Sequence, residues 1–367
     1  MSRSFEISSS SGAYGVLIGT GLVGPLLARH EDAFHLVDQR LIDLVDLPRS
    51  RLLGVEATEQ GKSLENLPAV FAGLRRLGAD RSATLIAIGG GVIQDIATLV
   101  ASLYMRGVPW SYLPTTLLGM VDSCIGGKSS INVASYKNLI GNFYPPREIH
   151  IDVNFARSLS AEQVTAGLME AAKICYARSW DEFQAYLGES PAAPMDPARM
   201  MAIIERSLRN KKWFIEVDEF DRNERLLLNF GHTFGHAIES ASNFAVSHGI
   251  AVGIGMIVAV ELALSRDALT PVGKQRAQSL VAHVQSLLEA LSGTLQAPAA
   301  LSLTDLLEHF ENDKKHRGAM FRTVGPQHDG SLHLLSMPKE AASRAAFRKA
   351  YQAAFVRIGW SGVLRDA

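Results

Sequence analysis

Short apolar runs punctuate the first 150 residues: YGVLIGT, AFHLVD, RLLGVEA, ATLIAIGG and PWSYLPTT. Their β-branched and aromatic content, bounded by Gly, Pro and Asp, predicts strands. Between several of them, SLENLPAVFAGLRRLG and VIQDIATLVASLYMRG carry apolar residues at helical spacing. Strands separated by helices imply a parallel α/β sheet, so a Rossmann-like domain is expected over residues 1–157. From about residue 158 long helical periods take over, in AEQVTAGLMEAAKICYARS, PARMMAIIERSLRNKKWFIEVD, IAVGIGMIVAVELALSRD, KQRAQSLVAHVQSLLEALS and LTDLLEHFEND. Residues 158–367 are therefore expected to form a helical domain, giving a fold of α/β plus all-α class. One exception is MFRTVGPQHDGSLHLLS, whose alternation around Asp329-Gly330 predicts a hairpin. Segments 188–198 and 296–300, rich in Pro and Ala, suit surface loops, and no internal repeat is evident.

Composition narrows the function classes. A chain of 367 residues with 47% hydrophobic content supplies two ordinary cores. The net charge of −1 offers no general electrostatic grip on nucleic acid, so no nucleic-acid partner is expected. Cys124 and Cys175 are the only cysteines, which excludes a disulfide framework and suits a reducing compartment. The opening MSRSFEISSS lacks the apolar core of a signal peptide, and the run at 250–264 is interrupted by Gly and shorter than a membrane span. A cytoplasmic protein without a membrane partner is the expectation.

Two glycine loops suggest phosphate binding. Gly19-Thr20-Gly21-Leu22-Val23-Gly24 matches GxGxxG between a strand and a helix, and Asp38 ends the next apolar run, where a ribose-binding acid is expected. The stronger loop is Gly89-Gly90-Gly91, which closes an apolar strand and opens a helix, so that backbone N–H groups can meet a pyrophosphate. Both loops can serve one dinucleotide. Farther on, Arg106, Lys128, Lys137 and Asn138 stand among glycines, with Thr115 and Thr116 after a strand, a composition suited to anions. GGKS lacks the preceding GxxxxG spacing, so nucleoside triphosphate hydrolysis is not supported.

The segment NFGHTFGHAIESASNFAVSHG places His232, His236 and His248 close together and suggests a metal site. His232 and His236, four apart, share a helix face, while His248 must return through the intervening turn. Thr233 follows His232, so no HExxH is present and a zincin protease is disfavoured.

The blocks GGGVIQD, YMRGVP, PTTLLGMVDSCIGGKSSIN, KNLIG, LMEAAK, NERLLLNFGHTFGHAIE, HG and DKK, in this order, resemble 3-dehydroquinate synthase and its sugar-phosphate cyclase relatives over about residues 15–335. More distantly, the architecture is shared with metal-dependent polyol dehydrogenases. The resemblance implies a dehydroquinate synthase-like fold, NAD and a divalent metal, zinc or cobalt, as cofactors, a sugar-phosphate substrate and a homodimer. It implies that Glu170, His232 and His248 hold the metal, which leaves His236 for acid/base and phosphate contacts. Lys128, Asn138 and Lys173 would line the substrate cavity, with Lys211 and Arg225 on the helical side and Asn229 before His232. Asp122 would orient substrate or lysines, Arg106 would reach a phosphate across a dimer interface, and Lys314, rather than Lys315, would supply a phosphate-side lysine. For NAD the resemblance nominates Asp38, Glu59, Lys62, Gly90, Gly91, Asp95, Thr115, Thr116, Lys128 and Lys137.

The reaction so implied acts on 3-deoxy-D-arabino-heptulosonate 7-phosphate: oxidation of the C5 hydroxyl, elimination of phosphate, return of the hydride, ring opening and aldol closure. Arg225 and Asn229 favour a substrate bearing a carboxylate, because a guanidinium holds that group bidentately. This chain has Ile250 where the family commonly continues HGE, removing a carboxylate that could support the metal site, and Gln94 and Thr98 where glycines are common.

Overall fold

A computed structural model describes residues 2–134, 136–291, 293, 295–298, 301–313, 315–360 and 362. Two compact units result, Met1–Leu159 with Met195–Phe220, and Ser160–Pro194 with Asp221–Ala367. The segment Met195–Phe220 belongs with the first unit, which a single cut at 157/158 did not anticipate. Helical periodicity reveals that a face is buried, but not which partner buries it.

The first unit is built on β1 (Arg3–Ile7), β2 (Tyr14–Gly19), β3 (Phe34–Asp38), β4 (Leu52–Val55), β5 (Leu85–Gly89), β6 (Trp110–Pro114) and β9 (Glu148–Asp152), with β7 (Ile131–Val133) and β8 (Tyr136–Ile140) forming a separate hairpin. The sheet order is β1-β2-β9-β6-β5-β3-β4, parallel except for β1 against β2. All five residues of β5, LIAIG, are buried, as a strand covered on both faces requires. Strands β1 (RSFEI) and β9 (EIHID) carry charged or polar residues at alternate positions and are absent from the apolar pattern.

The helices of this unit are α1 (Val23–Arg29), α2 (Leu67–Arg76), α3 (Gly91–Leu103) and α6 (Pro197–Val217). Helix α3 packs on β3, β5 and β6, and α6 on β1 and β2. Asp196 starts α6 by accepting hydrogen bonds from Ala198 N and Arg199 N at 2.9 and 3.0 Å, with Pro197 in the first turn, where a missing N–H costs nothing.

Strand order reverses between β3 and β5, because the chain leaves β3 outward to β4 and then returns to place β5 on the other side. The carboxyl ends flanking that switch point carry Asp38 and Gly89, the position where open α/β sheets take ligands. The GxGxxG loop at 19–24 instead follows β2, which β9, β6 and β5 separate from β3. Its Leu22 N–H is committed to Asp152 Oδ2 at 2.7 Å. The glycine run at 89–91, and not the earlier loop, is thus the partner of Asp38 at the switch point.

The second unit contains α4 (Ala161–Arg178), α5 (Trp180–Gly188), α7 (His232–Ala241), α8 (His248–Ser265), α9 (Pro271–Glu289), α10 (Leu303–Glu311), β10 (Met320–Gln327), β11 (Ser331–Pro338) and α11 (Ala341–Arg357). Ser160 and Gln163 exchange side-chain and backbone hydrogen bonds at 3.0 and 3.2 Å, a capping box that starts α4. The expected hairpin is present, closing from Gln327 to Ser331 around Asp329-Gly330. Helix α8 packs against α4, α7, α9, α11 and β10. Its 18 residues are long and apolar enough to cross a membrane by length and composition, but 78% of that window is buried in the fold, as for a core helix.

Glycine within a helix costs about 1 kcal/mol relative to alanine, yet α8 carries Gly249, Gly253 and Gly255. A Cβ at Gly249 would lie 2.3 Å from Ala166 O of α4, and one at Gly255 would lie 2.1 Å from Gly231 O and 2.8 Å from Gly235 N. These glycines let three backbones touch. Gly255→Ala is therefore expected to lower stability by about 1–3 kcal/mol through overpacking. A lower urea midpoint at unchanged slope would show it, whereas Gly188→Ala, whose added methyl meets nothing within 4 Å, should leave the midpoint in place.

Candidate active site

Helix α7 begins at His232, and its one-sided spacing brings His232, His236 and Glu239 onto one stripe. Helix α8 begins at His248, and α4 contributes Glu170 from its middle, 1% exposed. Nε2 of His248 lies 3.4 Å from Glu170 Oε1, and Nε2 of His232 lies 4.0 Å from the same oxygen. The outer nitrogens are engaged elsewhere: His232 Nδ1 lies 3.2 Å from Phe230 O, and His248 Nδ1 lies 3.0 Å from Glu239 Oε2. Lys173, one turn along α4 and buried, donates to Glu170 Oε2. Each of Glu170, His232 and His248 offers a ligand atom within 4.8 Å of the other two. Two imidazole nitrogens and a carboxylate oxygen, with the outer imidazole atoms already held, are a donor set that could hold a zinc-type ion.

Burial, then Lys173 and the neighbouring imidazoles, push His232 well below the usual histidine range. Burial also works against a charged His248, but Glu239 and Glu170 outweigh it and raise its pKa. His236 stands beside both, its ring centroid 5.5 Å from that of His232 and 5.9 Å from that of His248. Its Nδ1 lies 3.4 Å from Asp313 Oδ2 and 3.2 Å from Lys315 Nζ. Burial and Lys315 lower its pKa to about 4, so it is a neutral imidazole at pH 7. Burial works against the Asp313 carboxylate, but His236 and Lys315 hold it well below the carboxylate range. Lys314 lies outside the described residues; Lys315 is the lysine of that block that reaches His236. Arg225 is buried in the turn Glu224–Asn229 that precedes α7, where Asn229 Nδ2 donates to Leu226 O at 3.1 Å.

In the first unit, Lys62 Nζ donates to Asp95 Oδ2 at 3.0 Å and to Asn138 Oδ1 at 3.1 Å, and lies 3.6 Å from Glu59 Oε1. Lys137 Nζ is 3.5 Å from the same Glu59 oxygen. Asn132 joins the set, donating to Glu59 Oε1 at 3.0 Å and accepting from Asn138 N at 2.8 Å. Burial raises Asp95 to about 6 although Lys62 opposes it, and Lys62 is itself raised because Asp95 and Glu59 outweigh its burial. Gly90 caps α3 and Gly91 opens it; a Cβ on Gly90 would come within 2.9 Å of Thr116 Cγ2. Thr115 N donates to Gly89 O at 3.0 Å. Asp38 accepts from Arg40 Nη2 at 2.7 Å and from Arg40 Nε at 3.1 Å.

Lys128 Nζ lies over the Phe143 ring, 5.8 Å from its centre, and its carbonyl accepts from Gln94 Nε2 at 3.5 Å. That bond gives buried Gln94 a partner at a position where the resemblance favours glycine. Lys211 does not lie on the helical side: α6 carries it into the first unit, where its Nζ meets Asp122 Oδ1 at 2.5 Å, Asp122 O at 2.7 Å and Ile125 O at 3.2 Å. Arg106 stands exposed at φ 72, after Met105 at φ 50.

Residues 52–166 match the family 3-dehydroquinate synthase N-terminal, and residues 167–316 match 3-dehydroquinate synthase C-terminal. The chain belongs to the 3-dehydroquinate synthase family. A 3-dehydroquinate synthase of Xylella fastidiosa strain 9a5c is 38% identical over 296 residues, 78% of this chain and 73% of that protein. Among solved structures, 2-deoxy-scyllo-inosose synthase with carbaglucose-6-phosphate, NAD+ and Co2+ aligns with a TM-score of 0.80 at 20% identity, covering 96% and 99% of the two chains. The 2-epi-5-epi-valiolone synthase of Streptomyces hygroscopicus subsp. jinggangensis 5008, with NAD+ and Zn2+, aligns with a TM-score of 0.76 at 25% identity, covering 94% and 96%. The dehydroquinate synthase-like fold expected from the sequence is thereby shown.

Within this family the chain's Ile250 falls in the buried part of α8, fully shielded. Sequence reasoning treated its presence as a lost support for the metal ligands and overlooked Glu239, which stands at the outer nitrogen of His248. The spacing of zero, four and seven from His232 was the available signal. Asp313 and Asn132 were also missed, because they meet their partners across many residues of chain, and Lys315 was passed over for Lys314. Lys62→Met is expected to move the Asp95 carboxyl further up from about 6, read by pH-dependent carboxyl NMR. An acid raised on folding loses stability as pH climbs from its unfolded value through its folded one, so the variant should lose stability over a window extending further toward neutrality.

Proposed function

We propose that this protein is a 3-dehydroquinate synthase, a phosphate-eliminating cyclase that converts 3-deoxy-D-arabino-heptulosonate 7-phosphate to 3-dehydroquinate and phosphate. The observation that carries the reading is the convergence of Glu170, His232 and His248 beside a neutral His236, in a chain matched along most of its length by this family. When bound, NAD+ takes up and returns a hydride, and a divalent cation, Zn2+ or Co2+, makes the reacting hydroxyl more acidic.

The first unit is the NAD-binding part in this reading. Gly90 and Gly91 at the start of α3 meet the pyrophosphate, Asp38 the ribose, and Glu59, Lys62, Asp95, Thr115, Thr116, Lys128 and Lys137 complete the cofactor's surroundings. The second unit holds the cation through Glu170, His232 and His248, with Lys173 fixing the far oxygen of Glu170. His236, whose Nδ1 faces an Asp313 carboxylate that Lys315 also pairs with, is left with Nε2 for proton transfer near the leaving phosphate. Lys315 takes the place assigned to Lys314 on the phosphate side. Within the first unit, Lys128, Asn138, Lys211 and Asp122 are the polar groups offered to a sugar phosphate; within the second, Asn229 and buried Arg225 are, the guanidinium suiting a carboxylate. Arg106 reaches the phosphate of a partner subunit in a homodimer.

The test supplies NAD+ and the heptulosonate phosphate to the purified protein. Phosphate release with dehydroquinate formation and no net NADH is expected. Release from sedoheptulose 7-phosphate with silence on the heptulosonate would transfer the reading to another cyclase, and steady NADH accumulation would make the protein a polyol dehydrogenase. His236→Ala should lower kcat by about 10²–10⁴-fold, the usual contribution of a positioned acid or base. Removing the metal with a chelator should abolish turnover, and added Zn2+ or Co2+ should restore it. Arg225→Met should raise KM for the heptulosonate about 10- to 100-fold through loss of a charged hydrogen-bonding pair.

A further inference from the structure

Helix α7 carries one acidic residue on the stripe that faces the imidazoles, Glu239, and its side chain is 13% exposed. Glu239 Oε2 lies 3.0 Å from His248 Nδ1, while Nε2 of the same ring points to Glu170 Oε1 at 3.4 Å. The ring thus stands between two carboxylates, one facing each nitrogen, with the hydrogen bond on the Nδ1 side. We propose that Glu239 is the positioning residue of His248: it accepts the Nδ1 proton, fixes the tautomer that leaves Nε2 free of hydrogen, and sets the ring plane for a cation at Glu170, His232 and His248. The inference rests on that cation reading. It also explains how this chain keeps a carboxylate beside the metal ligands with Ile250 buried after His248-Gly249.

His236, Glu239 and His248 also bring ligand atoms within 4.8 Å of one another. A separate cation there would have to replace the Nδ1 proton of His248 while Nε2 serves the first site, leaving an imidazolate between two cations. A hydrogen bond at 3.0 Å needs no such deprotonation. His232 is oriented in the same manner by a neutral group, the Phe230 carbonyl, so the two imidazoles differ in their support. The charged support belongs to the ligand that is 38% exposed, where the surrounding packing constrains the ring least.

The experiment titrates metal-free protein with Zn2+ against a chromophoric chelator, and with Co2+ while recording its visible absorption bands. Wild type should bind one equivalent, and Glu170→Ala should lose that binding. Glu239→Ala should weaken Zn2+ binding about 10- to 100-fold and alter the Co2+ bands, as loss of a carboxylate behind a histidine ligand does. Glu239→Gln keeps an acceptor without the charge and should fall between; it also serves if the alanine variant does not fold. Wild-type binding that Glu170→Ala leaves intact would sink the cation reading itself. Binding lost in Glu170→Ala but kept within about twofold in Glu239→Gln and Glu239→Ala would overturn the role of Glu239 alone. Two equivalents in wild type falling to one in Glu239→Ala would overturn it in favour of a second cation.

Discussion

Backbone contact between α7 and α8 is the constraint on which the cluster of Glu170, His232 and His248 depends. Gly231, Gly235 and Gly255 leave no room for a Cβ, so the two helices approach until their main chains touch. His232 and His248 are the first residues of those helices, and their separation is fixed by that approach. Gly249 does the same between α8 and α4, whose Glu170 completes the set. Because a helix interior penalises glycine by about 1 kcal/mol, α8 gives up local helix stability in return for this geometry and recovers it through burial.

The polar groups that depend on this packing are arranged in supporting layers. Glu170 is gripped by Lys173 from behind, His248 by Glu239, His232 by a backbone carbonyl, and His236 by Asp313 and Lys315. Burial makes each of these pairings consequential, since an ion or imidazole removed from water keeps its state only through its neighbours. The first unit follows the same rule around Lys62, where Asp95 and Glu59 sustain a buried ammonium and Asn132 and Asn138 tie the hairpin to it. Its carboxyl-end geometry at β3 and β5 then brings Asp38 and the Gly89–Gly91 run to one switch point.

Much of this was legible in the chain. Periodicity located the five apolar strands and the long helices, because each depends on local alternation of side chains, and the blocks around His232 and Glu170 identified the family. Less legible were β1 and β9, whose polar residues mask their place in the sheet, and α11, where Phe347 and Tyr351 pack around Phe234 and Phe310 from a helix of weak apolar pattern. The GxGxxG loop has the right spacing, but three strands intervene between β2 and β3, so it does not neighbour Asp38. Lys211 went to the wrong unit because a helix returning to an earlier sheet leaves no mark in its own sequence.

The sequence by itself determined the residue types of the chemistry, their order, and the class of fold that presents them, since these follow from periodicity, glycine placement and collinear blocks. Only the tertiary structure decided which groups meet: that His236 stands on Asp313 and Lys315, that Lys211 serves Asp122, and that Glu239 rather than position 250 supplies the carboxylate behind His248. The reason is physical. Ion pairs and hydrogen bonds act over a few ångströms, and the packing of elements remote in sequence alone brings such groups within that range.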